Sequence, residues 1–449
     1  MGKLFGTDGI RGVVGETLTC ELAYRIGQAT ALSLAESKAK RPSIVIGMDT
    51  RISSDMLENA LTAGLCACGA DVIKMGVIPT PAVAFLTVHL KADAGVVISA
   101  SHNPFEYNGI KIFSNEGFKL NDDLEARIED LILSEGALPV KTRGEVGRVK
   151  DGKQYTELYL DHLASTVGKI SGLKVVFDCA NGASSATARR LFDRFDLKAD
   201  YIHDTPDGVN INDHCGSTHL QSLSDTVVRG GFDLGLAFDG DADRCLAVDE
   251  TGAPIDGDRI MAVCATQLRK EGKLNGGGFV ATVMSNLGLH QFARENDLKL
   301  LCAAVGDRNV LELMQKEGMR LGGEQSGHII FLDHMTTGDG QLAALQFLQL
   351  LCKTGKRASD VTKAVEQYPQ VLLNVAAPHD NQAKAALLEN ETLMRDIADA
   401  EQELGADGRV LVRPSGTEAL VRVMVEAKSL DLANALARRI SNTVENLQK

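Results

Sequence analysis

The segment Ile98-Ser99-Ala100-Ser101-His102-Asn103-Pro104 joins two stretches of different character. The apolar residues 94–97 before it predict a buried strand. The polar residues 105–109 after it end in a glycine and indicate a turn. The strand therefore ends in a loop that carries Ser101, and we expect small neighbours to leave its hydroxyl open to a bulky reactant. The alternative is a serine-rich turn whose hydroxyl groups bond their own backbone.

Predicted strands and helices alternate around this segment along most of the chain. The strands are predicted at residues 43–49, 71–77, 95–100, 173–180, 199–203, 234–238, 278–283 and 299–305, and the helices at 54–69, 155–167, 184–195, 220–230, 258–271, 286–298 and 307–317, with more helix within 339–367. Such alternation is typical of βαβ units, so we expect an α/β fold with parallel or mixed sheets. The last eighty residues differ, and strands at 371–376, 409–412 and 420–426 with a long charged helix and a terminal helix predict an α+β unit.

The chain length of 449 residues allows about three domains. Linkers are predicted near residues 145–153, 249–258 and 366–370, and they divide the chain into four. We expect three similar mixed α/β domains and a C-terminal α+β domain around a central cleft. Their predicted bounds are 1–150, 151–252, 253–368 and 369–449.

The composition of the chain argues against some classes of binding partner. The formal net charge of −13 argues against a nucleic-acid surface. A small anionic substrate must then be held by local basic side chains and backbone amides. The nine cysteines include no Cys-x-x-Cys pair, which suits a reducing compartment. With neither a signal peptide nor an apolar run of membrane-spanning length in the sequence, we expect a cytoplasmic protein without a membrane partner.

An acidic loop, Asp239-Gly240-Asp241-Ala242-Asp243-Arg244, follows the predicted strand 234–238. Three carboxylates at the end of one strand repel one another unless a cation neutralises them. An EF-hand is excluded because its sixth position is Arg244 and its flanks are strands. Oxygen ligands favour Mg²⁺ over zinc, so the loop predicts a magnesium site. The alternative is a solvated acidic turn.

Three further loops carry groups that suit a phosphorylated sugar. Gly322-Gly323-Glu324-Gln325-Ser326-Gly327-His328 offers side chains for bidentate hydrogen bonds to vicinal hydroxyls. Leu411-Val412-Arg413-Pro414-Ser415-Gly416-Thr417-Glu418 could form a nest for a dianionic phosphate, with Arg422 as a second guanidinium. Phe5-Gly6-Thr7-Asp8-Gly9-Ile10-Arg11-Gly12 brings another arginine. Each could instead be an ordinary turn or terminal loop.

The four loops together supply a serine acceptor, a metal site, a group that reads hydroxyls and a phosphate nest. These are the parts of sugar phosphoryl transfer. The sequence has no G-x-x-x-x-G-K-[ST] or G-x-G-x-x-G pattern and no G-x-S-x-G elbow. Nucleotide-binding and hydrolase signatures of those kinds therefore do not compete with this interpretation.

With these loops in this order, the chain resembles the α-D-phosphohexomutase superfamily over its whole length. Within it, the chain is similar to the branch that acts on glucosamine phosphates. One hint is Gln325, where the phosphomannomutase/phosphoglucomutase branch tends to carry methionine. The segments Asn210-Ile211-Asn212-Asp213-His214-Cys215-Gly216-Ser217-Thr218-His219 and Val305-Gly306-Asp307-Arg308 resemble the same branch.

The resemblance implies that Ser101 is carried as phosphoserine and transfers its phosphoryl group to O1 of glucosamine 6-phosphate. The resulting 1,6-bisphosphate returns its 6-phosphoryl group to Ser101 and leaves glucosamine 1-phosphate, on the route to UDP-N-acetylglucosamine and cell-wall precursors. One Mg²⁺ per chain is implied, and glucosamine or glucose 1,6-bisphosphate is the implied activator. A homodimer is compatible with the family.

The resemblance also implies roles for individual residues. The implied metal ligands are Ser101, Asp239, Asp241 and Asp243, the sugar contacts are Glu324 and Ser326, the phosphate contacts are Arg413, Ser415, Gly416, Thr417 and Arg422, and the proton-handling groups are Lys111, Arg11 and His328. Lys111 could instead be a solvated lysine after a turn. The alternative functions are a phosphomannomutase/phosphoglucomutase, a sugar phosphatase that forms phosphoserine, and a non-catalytic phosphosugar-binding regulator.

Overall fold

The computed structural model describes residues 4–6, 8–35, 41–378, 380–415 and 419–448, without the side chain of Asn381. The chain divides into two compact units. The first comprises Met1–Met284 and Leu298–Lys363, and the second comprises Ser285–Asp297 and Ala364–Lys449. Among the described residues, no helix is both long enough and apolar enough to cross a membrane.

The first sheet of the first unit contains six strands in the order β1-β5-β4-β2-β3-β6. The elements are β1 (Ile10–Val13), α1 (Cys20–Ala35), β2 (Ser43–Met48), α2 (Ser54–Ala67), β3 (Asp71–Val77), α3 (Thr80–His89), β4 (Ala94–Ile98), β5 (Tyr107–Ser114), α4 (Asp122–Leu133) and β6 (Val149–Asp151). The strands β2, β3, β4 and β6 are parallel, while β5 runs antiparallel to β4 and β1. All five residues of β4 are buried, so the segment before Ser101 is a core strand.

The second sheet has the order β11-β10-β9-β7-β8. Its elements are α5 (Thr156–Ser165), β7 (Ser171–Asp178), α6 (Ala188–Phe192), β8 (Asp196–Ile202), α7 (Gln221–Gly230), β9 (Leu234–Phe238), β10 (Cys245–Asp249) and β11 (Pro254–Ile255). The buried strand β9 ends directly before the acidic loop. The helix predicted at 184–195 is shorter than expected, because Ser184 Oγ bonds the carbonyl of Cys179 and the first turn is 3₁₀.

The third sheet has the order β13-β12-β14-β15. Its region contains α8 (Gly257–Lys270), β12 (Gly278–Thr282), α9 (Leu287–Glu295), β13 (Lys299–Ala303), α10 (Asp307–Glu317), β14 (Leu321–Gly323), β15 (Ile329–Phe331), α11 (Gly340–Thr354) and α12 (Ala358–Thr362). The short strands β14 and β15, which the sequence pattern did not predict, form a hairpin around residues 324–328. Helix α9 belongs to the second unit.

The second unit is built on an antiparallel sheet with the order β16-β18-β17. Its further elements are β16 (Gln370–Ala376), α13 (Asn381–Leu388), α14 (Glu391–Leu404), β17 (Gly408–Pro414), β18 (Leu420–Ala427) and α15 (Leu430–Asn446). The single long charged helix predicted here is wrong. It is two helices, because Asn390 caps α14 by accepting the N–H of Thr392 at 2.9 Å.

Three helix-flanked sheets and one antiparallel sheet with helices confirm the predicted α/β class with a smaller α+β unit. The core of the second unit shows how its layers meet. Val421, Val423 and Val425 of β18 pack in one cluster with Leu436 and Ile440 of α15.

A buried hydrogen bond joins α5 to the start of α11. The hydroxyl of Tyr159 donates to Asp339 Oδ2 at 2.8 Å, and Asp339 Oδ1 accepts the N–H of Leu342 at 2.9 Å. Both Tyr159 and Asp339 have 0% exposure. Burial raises the pKa of Asp339 to about 6, although these two hydrogen bonds act in the opposite direction.

We expect Tyr159→Phe to lower the thermal stability. It leaves a buried carboxylate oxygen without its donor, at a cost of about 1–3 kcal/mol. Circular dichroism should show a melting temperature several degrees below that of the wild type. Tyr107→Phe is the matched control, because Tyr107 is 39% exposed and its variant should melt like the wild type. Equal melting temperatures for both variants would contradict this role of Tyr159.

Candidate active site

Ser101 follows β4 in a loop whose backbone is unusual. Its φ is +53°, in the left-handed region that few residues other than glycine adopt. Its N–H donates to Ser99 Oγ at 3.0 Å, and that hydroxyl donates to Asp49 Oδ2 at 2.6 Å. The hydroxyl of Ser101 donates to Asp239 Oδ2 at 2.6 Å, and the residue is 1% exposed. The prediction of an open hydroxyl is therefore wrong for this state. The small residues around Ser101 leave space that the carboxylate of Asp239 fills.

The aspartates of the acidic loop form a compact buried cluster. One carboxylate oxygen from each of Asp239, Asp241 and Asp243 lies within 4.8 Å of the others. Asp241 Oδ1 and Asp243 Oδ1 are buried without a hydrogen-bond partner. Burial, with the charges of Asp243 and Asp241, holds the pKa of Asp239 well above its ordinary value. These three oxygen donors, two with an unsatisfied buried atom, fit a hard divalent cation.

Lys111 lies on β5, opposite Val97 of β4, and is buried beside this cluster. Its ammonium contacts Asp241 Oδ2 at 2.8 Å and Asp8 Oδ2 at 3.2 Å. Burial alone would lower the pKa of Lys111, but Asp241 and Asp8 raise it far above its ordinary value. The solvated alternative for Lys111 is therefore wrong. These carboxylates hold Lys111 as a cation and oppose loss of its proton.

A second, partly buried lysine extends the network, and the sequence analysis missed it. Lys119 Nζ lies 2.7 Å from Asp8 Oδ1 and 2.7 Å from Asp307 Oδ2. Arg11 also pairs with Asp8, so Asp8 binds three cations. Asp8 and Asp307 both lie in segments quoted for other reasons, but Lys119 carries no local signal because its partners are distant in sequence.

His328 lies in the hairpin turn between β14 and β15, next to the acidic loop. Its Nδ1 is 3.5 Å from Asp243 Oδ2, and its Nε2 accepts the N–H of Gly338 at 3.1 Å. The backbone fixes this approach, since the N–H of Cys245 donates to the carbonyl of Gly327 at 3.0 Å. The geometry places an imidazole N–H of His328 toward the aspartate cluster.

The same turn holds the residues predicted to contact sugar hydroxyls. Glu324 Oε1 accepts the N–H of Gly306 at 3.0 Å, so the turn is tied to the start of α10. Ser326 Oγ is buried and has no hydrogen-bond partner. Gln325 donates to Asp256 Oδ2 at 3.3 Å, which places its amide against the start of α8.

The predicted phosphate residues lie in the second unit. Arg413 is the penultimate residue of β17 rather than part of the loop, and the pairing register sets it opposite Arg422 of β18. Burial and the charge of Arg422 lower the pKa of Arg413. Lys384 of α13, which sequence reasoning missed, donates to the carbonyl of Ser415 at 2.9 Å. Gly416 and Thr417 lie outside the described residues.

Two arginines opposite each other on paired strands favour an anion between or beside them.

In the first unit, the structure brings Ser101, the three aspartates, Lys111 and His328 together, and it joins Arg11 to them through Asp8. The predicted phosphoserine, metal-binding and proton-handling residues thus form one cluster, while Glu324 and Ser326 lie in the hairpin turn that carries His328.

Models of the domains of one protein family match most of the chain. They are described as phosphoglucomutase/phosphomannomutase α/β/α domain I at residues 2–138, domain II at 157–252, domain III at 256–368 and the C-terminal domain at 372–443. The chain belongs to the phosphoglucomutase/phosphomannomutase family. The predicted superfamily is therefore confirmed.

Relatives and solved structures agree with this membership. The chain is 50% identical over 449 residues to the phosphoglucosamine mutase of Acetivibrio thermocellus, with 99% of each chain covered, which confirms the predicted branch. A phosphoglucomutase/phosphomannomutase family protein from Burkholderia thailandensis has the same fold, with a TM-score of 0.81, 24% identity and coverage of 98% of this chain and 97% of that one. So does Aspergillus fumigatus N-acetylphosphoglucosamine mutase in complex with GlcNAc-6P and magnesium, with a TM-score of 0.69, 19% identity and coverage of 99% and 96%.

We expect the melting temperature of chelator-treated protein to rise as the Mg²⁺ concentration is increased. The cation would relieve the repulsion among the three aspartates and satisfy their unpaired oxygens. Asp243→Asn should remove most of this increase. Asp213→Asn is the control, since its side chain is 67% exposed in a different loop. The same increase in all three proteins would place the cation elsewhere.

Proposed function

We propose that the protein interconverts glucosamine 6-phosphate and glucosamine 1-phosphate in the cytoplasm, through a phosphoserine at Ser101. The observation that carries the proposal is the contact of 2.6 Å between Ser101 Oγ and Asp239 Oδ2, within a cluster that fits a divalent cation. The similarity to phosphoglucosamine mutases over the full length supports the substrate class.

The transfer step exchanges one phosphorus–oxygen bond for another. The bond to Ser101 Oγ breaks as the bond to O1 of glucosamine 6-phosphate forms, and the proton of O1 leaves to a nearby group. In the second half, O6 gives its phosphoryl group back to Ser101. Mg²⁺ held by Asp239, Asp241 and Asp243, with Ser101, would neutralise charge on the transferring group.

Three residues are assigned to proton transfer and charge balance. Lys111 is assigned to this set as an ammonium 2.8 Å from Asp241 Oδ2, and its strongly raised pKa suits it to balance charge, since a general acid needs a pKa near the operating pH. His328 presents its Nδ1 at 3.5 Å from Asp243, inside the same cluster. Arg11, paired with Asp8, supplies a fixed positive charge at the edge of this network.

The remaining contacts hold the part of the sugar that does not react. Glu324 and Ser326 are assigned to the hydroxyl groups, and the buried unpaired hydroxyl of Ser326 supports this. Arg413, Ser415, Gly416, Thr417 and Arg422 are assigned to the second phosphate. A 1,6-bisphosphate intermediate requires that this one site accept either end of the sugar. Glucosamine or glucose 1,6-bisphosphate would charge Ser101 initially.

A coupled assay with glucosamine 6-phosphate, glucose 1-phosphate and mannose 1-phosphate tests the proposal. We expect the highest kcat/KM with glucosamine 6-phosphate and no steady release of inorganic phosphate. Ser101→Ala should lose activity and the phosphoryl mass of 80 Da expected for one phosphate. Ser134→Ala, an exposed serine after α4, should keep both. Preference for glucose or mannose phosphate would support the other branch, and steady phosphate release would support a phosphatase.

We expect Arg413→Ala to lower kcat/KM by roughly ten- to a hundredfold, because a charge-assisted contact with phosphate contributes about 1.5–3 kcal/mol. Arg413→Lys should recover only part of this, since lysine keeps the charge but loses the bidentate geometry. The same assay with Arg438→Ala, an exposed arginine on α15, is the control and should match the wild type. Normal substrate binding in Arg413→Ala with reduced thermal stability alone would assign Arg413 a structural role.

A further inference from the structure

Two side chains, those of Arg51 and Asn212, donate hydrogen bonds to the backbone carbonyls of the loop that carries Ser101. Arg51 makes the larger number of these bonds. The guanidinium of Arg51 has 0% side-chain exposure. Its Nε donates to Asp49 Oδ2 at 2.8 Å. Its other four N–H groups donate to the carbonyls of Ser101 at 3.0 Å, Asn103 at 2.8 Å, Tyr107 at 2.9 Å and Pro104. All five donors of the side chain are therefore used, three of them on this loop and one on the first residue of β5.

Asn212 is the second residue that holds the loop, and it comes from the second sheet's region. Its Nδ2 donates to the carbonyl of Ser101 at 2.9 Å and to that of Asn103 at 3.2 Å. Because both acceptors are carbonyls, the amide must present its NH₂ group to them. Asn212 is 7% exposed and lies in the 210–219 segment, which the proposed function has not otherwise used.

The carbonyl of Ser101 is thus a point where three segments meet. Arg51 and Asn212 both donate to it, and Gly240 of the acidic loop packs so closely that a Cβ there would lie 2.5 Å from it. Ser101 itself has a φ of +53°, a conformation that persists in a non-glycine residue only when its surroundings impose it.

We propose that Asn212 and Arg51 are positioning residues for phosphoryl transfer, which hold the carbonyl of Ser101 so that its hydroxyl faces the aspartate cluster. The inference rests on the proposed function of Ser101. Asn212 is the sharper test, because both its donors go to the Ser101 loop, whereas Arg51 also binds Asp49. Without the amide of Asn212, the hydrogen bonds from Arg51 still hold the loop, but the loop can shift relative to the acidic loop.

The experiment compares Asn212→Gly with Asn212→Asp. The backbone of Asn212 has a φ of +58°, which glycine tolerates, so Asn212→Gly removes the two donors without backbone strain. Asn212→Asp keeps the size but turns a carboxylate toward two carbonyls. We expect both to lower kcat by about ten- to a hundredfold while KM stays within about threefold. The rate at which glucose 1,6-bisphosphate phosphorylates Ser101, followed by intact mass, should fall by the same factor.

Two further variants complete the test. Arg51→Lys keeps the positive charge but loses the planar set of guanidinium donors, and it should slow Ser101 phosphorylation as well. Asn210→Gly is the control in the same segment, because the Asn210 side chain bonds backbone groups away from the Ser101 loop: Nδ2 donates to the carbonyl of Thr205 at 3.1 Å and Oδ1 accepts the N–H of Asp207 at 3.0 Å. It should keep the wild-type kcat and phosphorylation rate. If Asn212→Gly is unstable, the soluble Asn212→Asp protein gives the same two readouts.

The outcomes separate this inference from the proposed function. Wild-type rates of turnover and of Ser101 phosphorylation in both Asn212 variants would overturn the inference while the wild type remains an active mutase. An equal loss in Asn210→Gly would also overturn it, because the segment would then act only through its fold. A wild type that is phosphorylated at Ser101 but does not isomerise the sugar would refute the proposed function alone, and the phosphorylation rates would still test the inference. A wild type that takes no phosphoryl group at Ser101 would overturn both.

Discussion

The ion pair between Lys111 and Asp241 is the interaction on which the candidate site depends. Its atoms are 2.8 Å apart, and both residues are almost completely buried. Burial acts to raise the pKa of both Asp241 and Asp239, yet Lys111 holds that of Asp241 below its ordinary value, while that of Asp239 lies well above. The pKa of Asp241 is lowered by its contact with Lys111, whereas that of Asp239 is raised by burial and by the charges of Asp243 and Asp241, which Arg244 only partly offsets. The pKa values of two neighbouring aspartates are thus shifted in opposite directions.

This arrangement ties the fold of the first unit to its chemistry. Lys111 comes from β5, the aspartates follow β9, and His328 comes from the β14–β15 hairpin, so three sheets each contribute to one set of charges. Breaking a buried pair by removing one partner leaves an uncompensated charge, which costs about 3–5 kcal/mol. A packing error between the sheets would incur that cost. The Lys111–Asp241 pair therefore favours the arrangement of sheets that brings β5 next to the acidic loop.

Local patterns predicted the parts of the site that follow strands. The buried strands β4 and β9 are continuous apolar runs, so the positions of Ser101 and of the aspartates could be predicted from sequence. The Lys119 pairs could not, because Asp8 and Asp307 lie 111 and 188 residues away. Strands as short as β14 and β15 leave no periodic signal either. The enclosure of Ser101 was missed because it depends on Asp239, 138 residues distant.

The second unit arranges its basic side chains differently, and the difference bears on the proposed phosphate site. In the first unit, Lys111, Lys119 and Arg11 each contact a carboxylate, so their charge is largely compensated within the protein. In the second unit, Arg413 faces another arginine across the β17–β18 pair, and its pKa is lowered by burial and by that neighbour. A dianionic phosphate would relieve this repulsion. Under the proposed function, a phosphate at these two guanidinium groups would feel them at short range, where the distant charges that make up the net charge of −13 are largely screened.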